Sequence, residues 1–126
     1  VPTLAWLASV PVGTLATAIL VVNNLRDVDT DRVAGKRTMA VRMGRSGARG
    51  EWATLVWGAY LMPLVVFVLF DASFWVLLPL VSAPRALMLW NVIRTSESGP
   101  ELNEALAGTA QLGFLFSLLF AAGLCV

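Results

Sequence analysis

Four apolar runs, at roughly 4–22, 52–70, 74–92 and 106–126, leave this chain few ways to fold. Each is about 19–21 residues long, the length a helix needs to cross about 30 Å of hydrocarbon. The chain is 58% hydrophobic and 13% charged, with a mean hydropathy of +0.77. A water-soluble core made of these runs would leave almost no polar outer face on any of them, so a polytopic, all-α transmembrane helix bundle is expected. The first run has no charged segment ahead of it and leads straight into acidic residues, so it reads as a span and not as a cleaved leader.

The connecting segments set the orientation. The first connection, expected to be a loop over about 23–51, carries Arg26, Arg32, Lys36, Arg37, Arg42, Arg45 and Arg49. Asp71-Ala72-Ser73 has no basic residue, and the third connection has Arg94 with Glu97, Glu101 and Glu104. Basic residues collect on the cytoplasmic side, which places the first and third connections inside and the Asp71 turn and C-terminus outside, and the plasma membrane is the expected location. Trp52 and Trp90 then fall near the inner interface and Trp6 and Trp75 near the outer one, as an aromatic belt would, while Trp57 lies deeper and reads as packing. Pro11, Gly13, Gly58, Pro63, Pro79 and Pro84 interrupt the runs. Ala105, Ala107, Gly108 and Thr109 open the last one, where small residues let helices approach closely. Arg85 stands alone about 15 Å along a helix beginning near Phe74, and is expected to snorkel toward the inner interface or to reach a polar cavity as an anion ligand.

Several chemistries are excluded by composition. With no histidine there is no histidine zinc site and no nucleophile–histidine pair, and the single Cys125 allows neither an internal disulfide nor a thiolate site. A net charge of +1 by itself says nothing about nucleic acid, and no nucleic-acid partner is expected. What remains is a dense polar cluster at the membrane edge, where charge is costly to keep. Asp27, Asp29 and Asp31 are a hard-cation ligand set, followed by the basic Lys36, Arg37 and Arg42. If the first helix continues past the membrane edge, Asn23, Asp27 and Asp31 share one face and Asp29 points away. Two carboxylates suit Mg2+, which keeps waters and is completed by substrate phosphates. Gly35 permits a tight turn, and Lys36, Arg37 and the Thr38 hydroxyl then supply an anion-binding set. A calcium loop is excluded, because its sixth and twelfth positions are Arg32 and Thr38. A Walker A loop is excluded by the missing first glycine.

The spacing Asp27-x-x-x-Asp31-x-x-x-Gly35-x-x-Thr38 resembles the second aspartate-rich motif of the UbiA superfamily of membrane prenyltransferases. The longer string, Asn23-Asn24-x-Arg26-Asp27 with Gly35-Lys36-Arg37-Thr38 and Val41-Arg42-x-Gly44, is similar to the branch that prenylates 1,4-dihydroxy-2-naphthoate in menaquinone synthesis. Glu101-Leu102-Asn103 before a final helix resembles it less specifically. The resemblance implies a nine-helix bundle with two aspartate-rich motifs facing one cavity. Residues 1–126 would be its C-terminal portion, completed by an N-terminal remainder and inactive without it. It implies Mg2+-dependent transfer of a polyprenyl group from polyprenyl diphosphate to the aromatic acid with decarboxylation, giving demethylmenaquinone. Asp27 and Asp31 would hold the metal, with Lys36 also counted as catalytic, and Lys36, Arg37, Arg42, Asn23 and Asn24 would bind the diphosphate. The other readings are a relative acting on 4-hydroxybenzoate, haem or chlorophyllide and, in a different class, a membrane transport or structural subunit. The Asp-Gly-x-x-Ala-Arg opening of the CDP-alcohol phosphatidyltransferases is absent.

Overall fold

The computed structural model describes all residues, Val1–Val126, and consists of helices only. They are α1 (Thr3–Arg26), α2 (Val28–Val33), α3 (Met39–Leu69), a 3-10 helix (Phe74–Ser82), α4 (Ala83–Thr95) and α5 (Gly99–Cys125). Four stretches are long and apolar enough to cross a membrane: Thr3–Arg26, Met39–Leu69, Phe74–Thr95 and Gly99–Cys125. Of 94 backbone hydrogen bonds, 82 lie within helices, the arrangement hydrocarbon demands where water cannot satisfy N–H and C=O groups.

The four spans form a bundle around one core. Leu15, Ala18 and Val22 of α1, Val56 and Ala59 of α3, and Leu112, Phe116 and Phe120 of α5 are buried together. The outer surface is apolar as well: Val68, Val81 and Phe114 are each more than 70% exposed. A core inside and large apolar side chains outside describe a bundle solvated by lipid, and this sets aside the soluble reading. Where helices meet closely, small residues make it possible. A Cβ on Gly108 would meet Leu89 Cδ2 of α4 at 2.5 Å, and one on Gly123 would collide with the backbone of Trp75 and Val76.

The structure revises four sequence expectations. Most of the segment 23–51 is helical: it contains the end of α1, all of α2 and the first part of α3. Within α3, Gly44 breaks the helix at φ 75° and ψ 177°, a conformation reserved for glycine. Trp52 is not an interfacial anchor. It is wholly buried, stacks on Trp90 at a centroid distance of 6.1 Å, and donates from Nε1 to Thr109 Oγ1 at 3.3 Å. The third span is not one α-helix either. Pro84 has no N–H for the carbonyl of Leu80, which accepts from Ala83 instead, and the preceding residues wind as a 3-10 helix.

That winding moves Arg85. At about 2.0 Å rise per 3-10 residue it lies about 20 Å from the Phe74 end, not 15 Å. It is exposed and donates from Nη2 to Gln111 Oε1 of α5 at 3.1 Å. Gln111 is eight residues beyond Asn103, about 12 Å along the helix, so Arg85 is remote from the polar cluster described next.

Candidate active site

The first and third connections meet at one end of the bundle, and there the polar residues gather. Leu25 and Val28 are buried and seat the end of α1 and the start of α2 against the core. Between them Asp27 leaves helical geometry, at φ −97° and ψ 10°. The hydrogen-bond register nevertheless runs through the break: Asp27 N–H donates to the Asn23 carbonyl at 3.1 Å, and Asp31 N–H to the Asp27 carbonyl at 2.8 Å. Asn23, Asp27 and Asp31 therefore follow each other at one-turn intervals.

Past Asp31 the chain turns back on itself. Gly35 takes φ +78°, its N–H donates to the Arg32 carbonyl at 3.2 Å, and Lys36 N–H donates to the Asp31 carbonyl at 2.9 Å. These two bonds make a Schellman cap, which requires a left-handed residue at Gly35. The cap puts Lys36 over Asp31, with Nζ 3.8 Å from Oδ1. Two residues on, Thr38 caps α3, its Oγ1 accepting from Val41 N–H at 3.2 Å. The spacing of Asp31, Gly35 and Thr38 is thus that of a helix end, a left-handed turn and the next helix start, and the Thr38 hydroxyl serves as a cap.

A Cβ on Gly35 would touch nothing within 4 Å, so a substitution there costs backbone strain alone. Gly35→Ala is expected to open the cap by about 1 kcal/mol, with the Lys36 amide exchanging its hydrogen roughly fivefold faster. Gly35→Asn, which tolerates this conformation, should keep most of the protection. Unchanged exchange in Gly35→Ala would show that the cap does not hold Lys36 in place.

Arg26 organises the cluster. Its Nε and Nη2 donate to Asp27 Oδ1 and Oδ2 at 2.8 and 2.9 Å, Nη2 also reaches Asn23 Oδ1 at 2.7 Å, and Nη1 reaches Asn103 Oδ1 of α5 at 2.8 Å. The hydrogen bonds from Arg26 hold the Asp27 carboxyl below the usual carboxylate range, opposed by partial burial and aided by the charges of Arg26 and Lys36. Asp27 is therefore ionised at neutral pH. Asp31 is the more enclosed acid, its side chain 13% exposed, whereas Asp29 is 71% exposed and pairs with Arg45 of α3 at 2.8 Å and Arg32 at 3.7 Å. Asp29 braces α2 against α3 and stands apart from the other two.

Of the sequence candidates, Asn23, Asp27, Asp31 and Lys36 come together. Asn24 is half-buried with no side-chain hydrogen bond to the group, and Arg37 and Arg42 are exposed and unpaired beside it in the chain. Arg26 and Asn103 are site members that were not among the candidates. Arg26 carried a signal, lying three residues after Asn23 and next to Asp27. Asn103 carried only the weak Glu101-Leu102-Asn103 resemblance, and nothing in the sequence tied it to Arg26, which is 77 residues away.

No three of the acidic or sulfur side chains converge as a self-sufficient metal cage. Two carboxylates one turn apart are nonetheless a hard-oxygen donor set. That set fits Mg2+, an ion held by one or two carboxylates and completed by water and phosphate oxygens.

A helix bundle with an apolar exterior and a charged site at one rim is a multi-pass membrane protein. The chain belongs to the UbiA prenyltransferase family, which it matches over residues 1–118. It is 32% identical over 116 residues to the 1,4-dihydroxy-2-naphthoate octaprenyltransferase of Mycobacterium leprae, covering 92% of this chain and 38% of that protein. It is 37% identical over 113 residues to the enzyme of the same name from Escherichia coli, covering 89% and 36%. The UbiA prenyltransferase domain-containing protein 1 homolog of Drosophila melanogaster is 32% identical over 117 residues, covering 93% and 31%. The chain thus spans a little over a third of the two bacterial relatives and under a third of the third.

Proposed function

We propose that this chain forms the cation- and diphosphate-binding half of a site that transfers a polyprenyl group from polyprenyl diphosphate to 1,4-dihydroxy-2-naphthoate. The observation that carries the reading is Asp27 and Asp31 one turn apart with Lys36 capped over Asp31, in a chain of the UbiA family. Its support for the naphthoate acceptor is the likeness to proteins named for that substrate. The facing half of the site would come from an N-terminal remainder, and residues 1–126 alone would make no product.

In the reaction, the bond between the prenyl C1 and the diphosphate oxygen breaks with its electron pair leaving on the diphosphate. A carbon–carbon bond forms at the ring carbon bearing the carboxylate, which departs as CO2, and the product is demethylmenaquinone in its reduced form. Asp27 and Asp31 would hold Mg2+, which when bound neutralises charge on the leaving diphosphate. Lys36, Arg37 and Arg42 would bind diphosphate oxygens directly, Arg through paired N–H donors and Lys as a point charge. Asn23 orients through its bond to Arg26, and Asn24 would be available to ligand. The apolar bundle would keep water from the allylic cation. The excess of basic residues in 23–51 supports a cytoplasmic site in the plasma membrane.

The test is prenyl transfer by the complete protein in membranes, with Mg2+, a polyprenyl diphosphate and either 1,4-dihydroxy-2-naphthoate or 4-hydroxybenzoate. Metal-dependent product from the naphthoate is expected. Product from 4-hydroxybenzoate alone would keep the chemistry and overturn the acceptor, and no product from either would overturn the assignment.

A further inference from the structure

The two carboxylates of the site are not equally open. Asp31 has one loose contact, 3.8 Å from Lys36. Both oxygens of Asp27 are taken by one guanidinium, at 2.8 and 2.9 Å. A divalent cation that takes Asp27 on the inner side of the carboxylate competes for the lone pairs that Arg26 already uses, one on each oxygen, and two-point guanidinium–carboxylate pairs are among the stronger hydrogen-bonded contacts.

The arginine is itself anchored from a second helix. Its remaining amino group, Nη1, donates to Asn103 Oδ1 of α5 at 2.8 Å. The start of α5 is held in turn. Ser98 caps it, its Oγ accepting from Glu101 N–H at 3.4 Å, and Arg49 of α3 grips the preceding connection, donating to the carbonyls of Ile93 and Ser96 at 3.0 Å each. Asn103 therefore presents its oxygen from a braced position, and with Asn23 it leaves the Arg26 guanidinium one favoured plane, the one that faces Asp27.

We infer that Arg26 and Asn103 form a latch on Asp27: positioning residues that occupy the carboxylate until a divalent cation displaces the guanidinium, and so set how tightly the site takes the cation. The inference rests on the assignment of Asp27 as a metal ligand made above. Displacement turns the guanidinium out of the plane that faces Asp27, which costs the two bonds to Asp27 and the Nη1 bond to Asn103 and leaves the bond to Asn23 to keep Arg26 at the site. Asn103 acts only through Arg26, and losing its oxygen loosens the latch and favours the cation.

The experiment measures Mn2+ binding to the complete protein in detergent, without prenyl diphosphate, by the electron paramagnetic resonance signal of free Mn2+. Asn103→Leu removes the acceptor at an exposed position, and Mn2+ is expected to bind roughly threefold to tenfold tighter, the net worth of an ordinary intramolecular hydrogen bond. Arg26→Lys, which cannot make the two-point contact, should also tighten binding, and adding Asn103→Leu to it should change nothing further. Unchanged or weaker Mn2+ binding in both single variants overturns the latch, and so does an equal gain from Asn103→Leu in the Arg26→Lys background. Asp27→Asn separates the two layers. It should weaken Mn2+ binding at least tenfold, and binding at parental affinity would overturn the metal assignment and the latch with it.

Discussion

Asp27→Asn and Asp31→Asn are each expected to lower Mg2+-dependent prenyl transfer by the complete enzyme roughly 100- to 1000-fold, the usual loss when one element of charge stabilisation is removed. Each change deletes one negative charge and keeps the side-chain shape, so abundance and thermal unfolding should change little. The two variants should differ in what remains. Asp27→Asn also releases Arg26, which then bonds only Asn23 and Asn103. Asp31→Asn leaves Arg26 in place and frees Lys36, which has no other ion pair. Asp29→Asn is the internal control, because Asp29 pairs with Arg45 and Arg32 away from the cluster. It should cost activity at most a few-fold, within the range of exposed ion pairs. Full activity in Asp27→Asn or Asp31→Asn, measured as product per minute at equal protein, would remove these carboxylates from the site.

The second large effect is expected at the basic turn. Arg37 is exposed and unpaired, and Lys36 spends its charge on one contact at 3.8 Å, so both are free to meet an anion. Lys36→Ala and Arg37→Ala should each raise the KM for polyprenyl diphosphate roughly 10-fold or more, the worth of a charge-assisted hydrogen bond. The KM for the aromatic acid should stay near its starting value. Arg94→Ala makes the same change in net charge at the exposed end of α4 and should leave both constants alone. An equal rise in Arg94→Ala would mean that the loops attract the diphosphate by their field alone.

The spans were legible in the sequence because the requirement is local. A segment in lipid must satisfy its own backbone and face hydrocarbon along its length, so hydropathy and a length of about 20 residues suffice to find it. The core of the site was legible for a similar reason. Asn23, Asp27 and Asp31 sit at helical spacing, and Gly35 announces a turn that only glycine makes readily. The helical winding of 23–51, the 3-10 stretch before Pro84 and the burial of Trp52 were not legible. A polar segment next to a membrane is compatible with loop or helix, and proline removes a donor without dictating which geometry repairs the loss. A tryptophan near the end of a span serves equally as an interfacial anchor or as core, until a neighbouring helix supplies Trp90 and Thr109.

By itself, then, the sequence determined that this is a membrane helix bundle with paired carboxylates and a basic turn at one rim, because spacing, length and polarity act within a few turns of one chain. Only the tertiary structure decided that Arg26 bridges α1 to Asn103 across 77 residues, that Arg49 fastens the α4–α5 connection across 47, and that Asp29 braces α2 against α3 through Arg45. Those contacts depend on which helix faces lie together, and that is settled by the packing of Gly108 on Leu89, of Gly123 on the Trp75–Val76 backbone and of the shared apolar core.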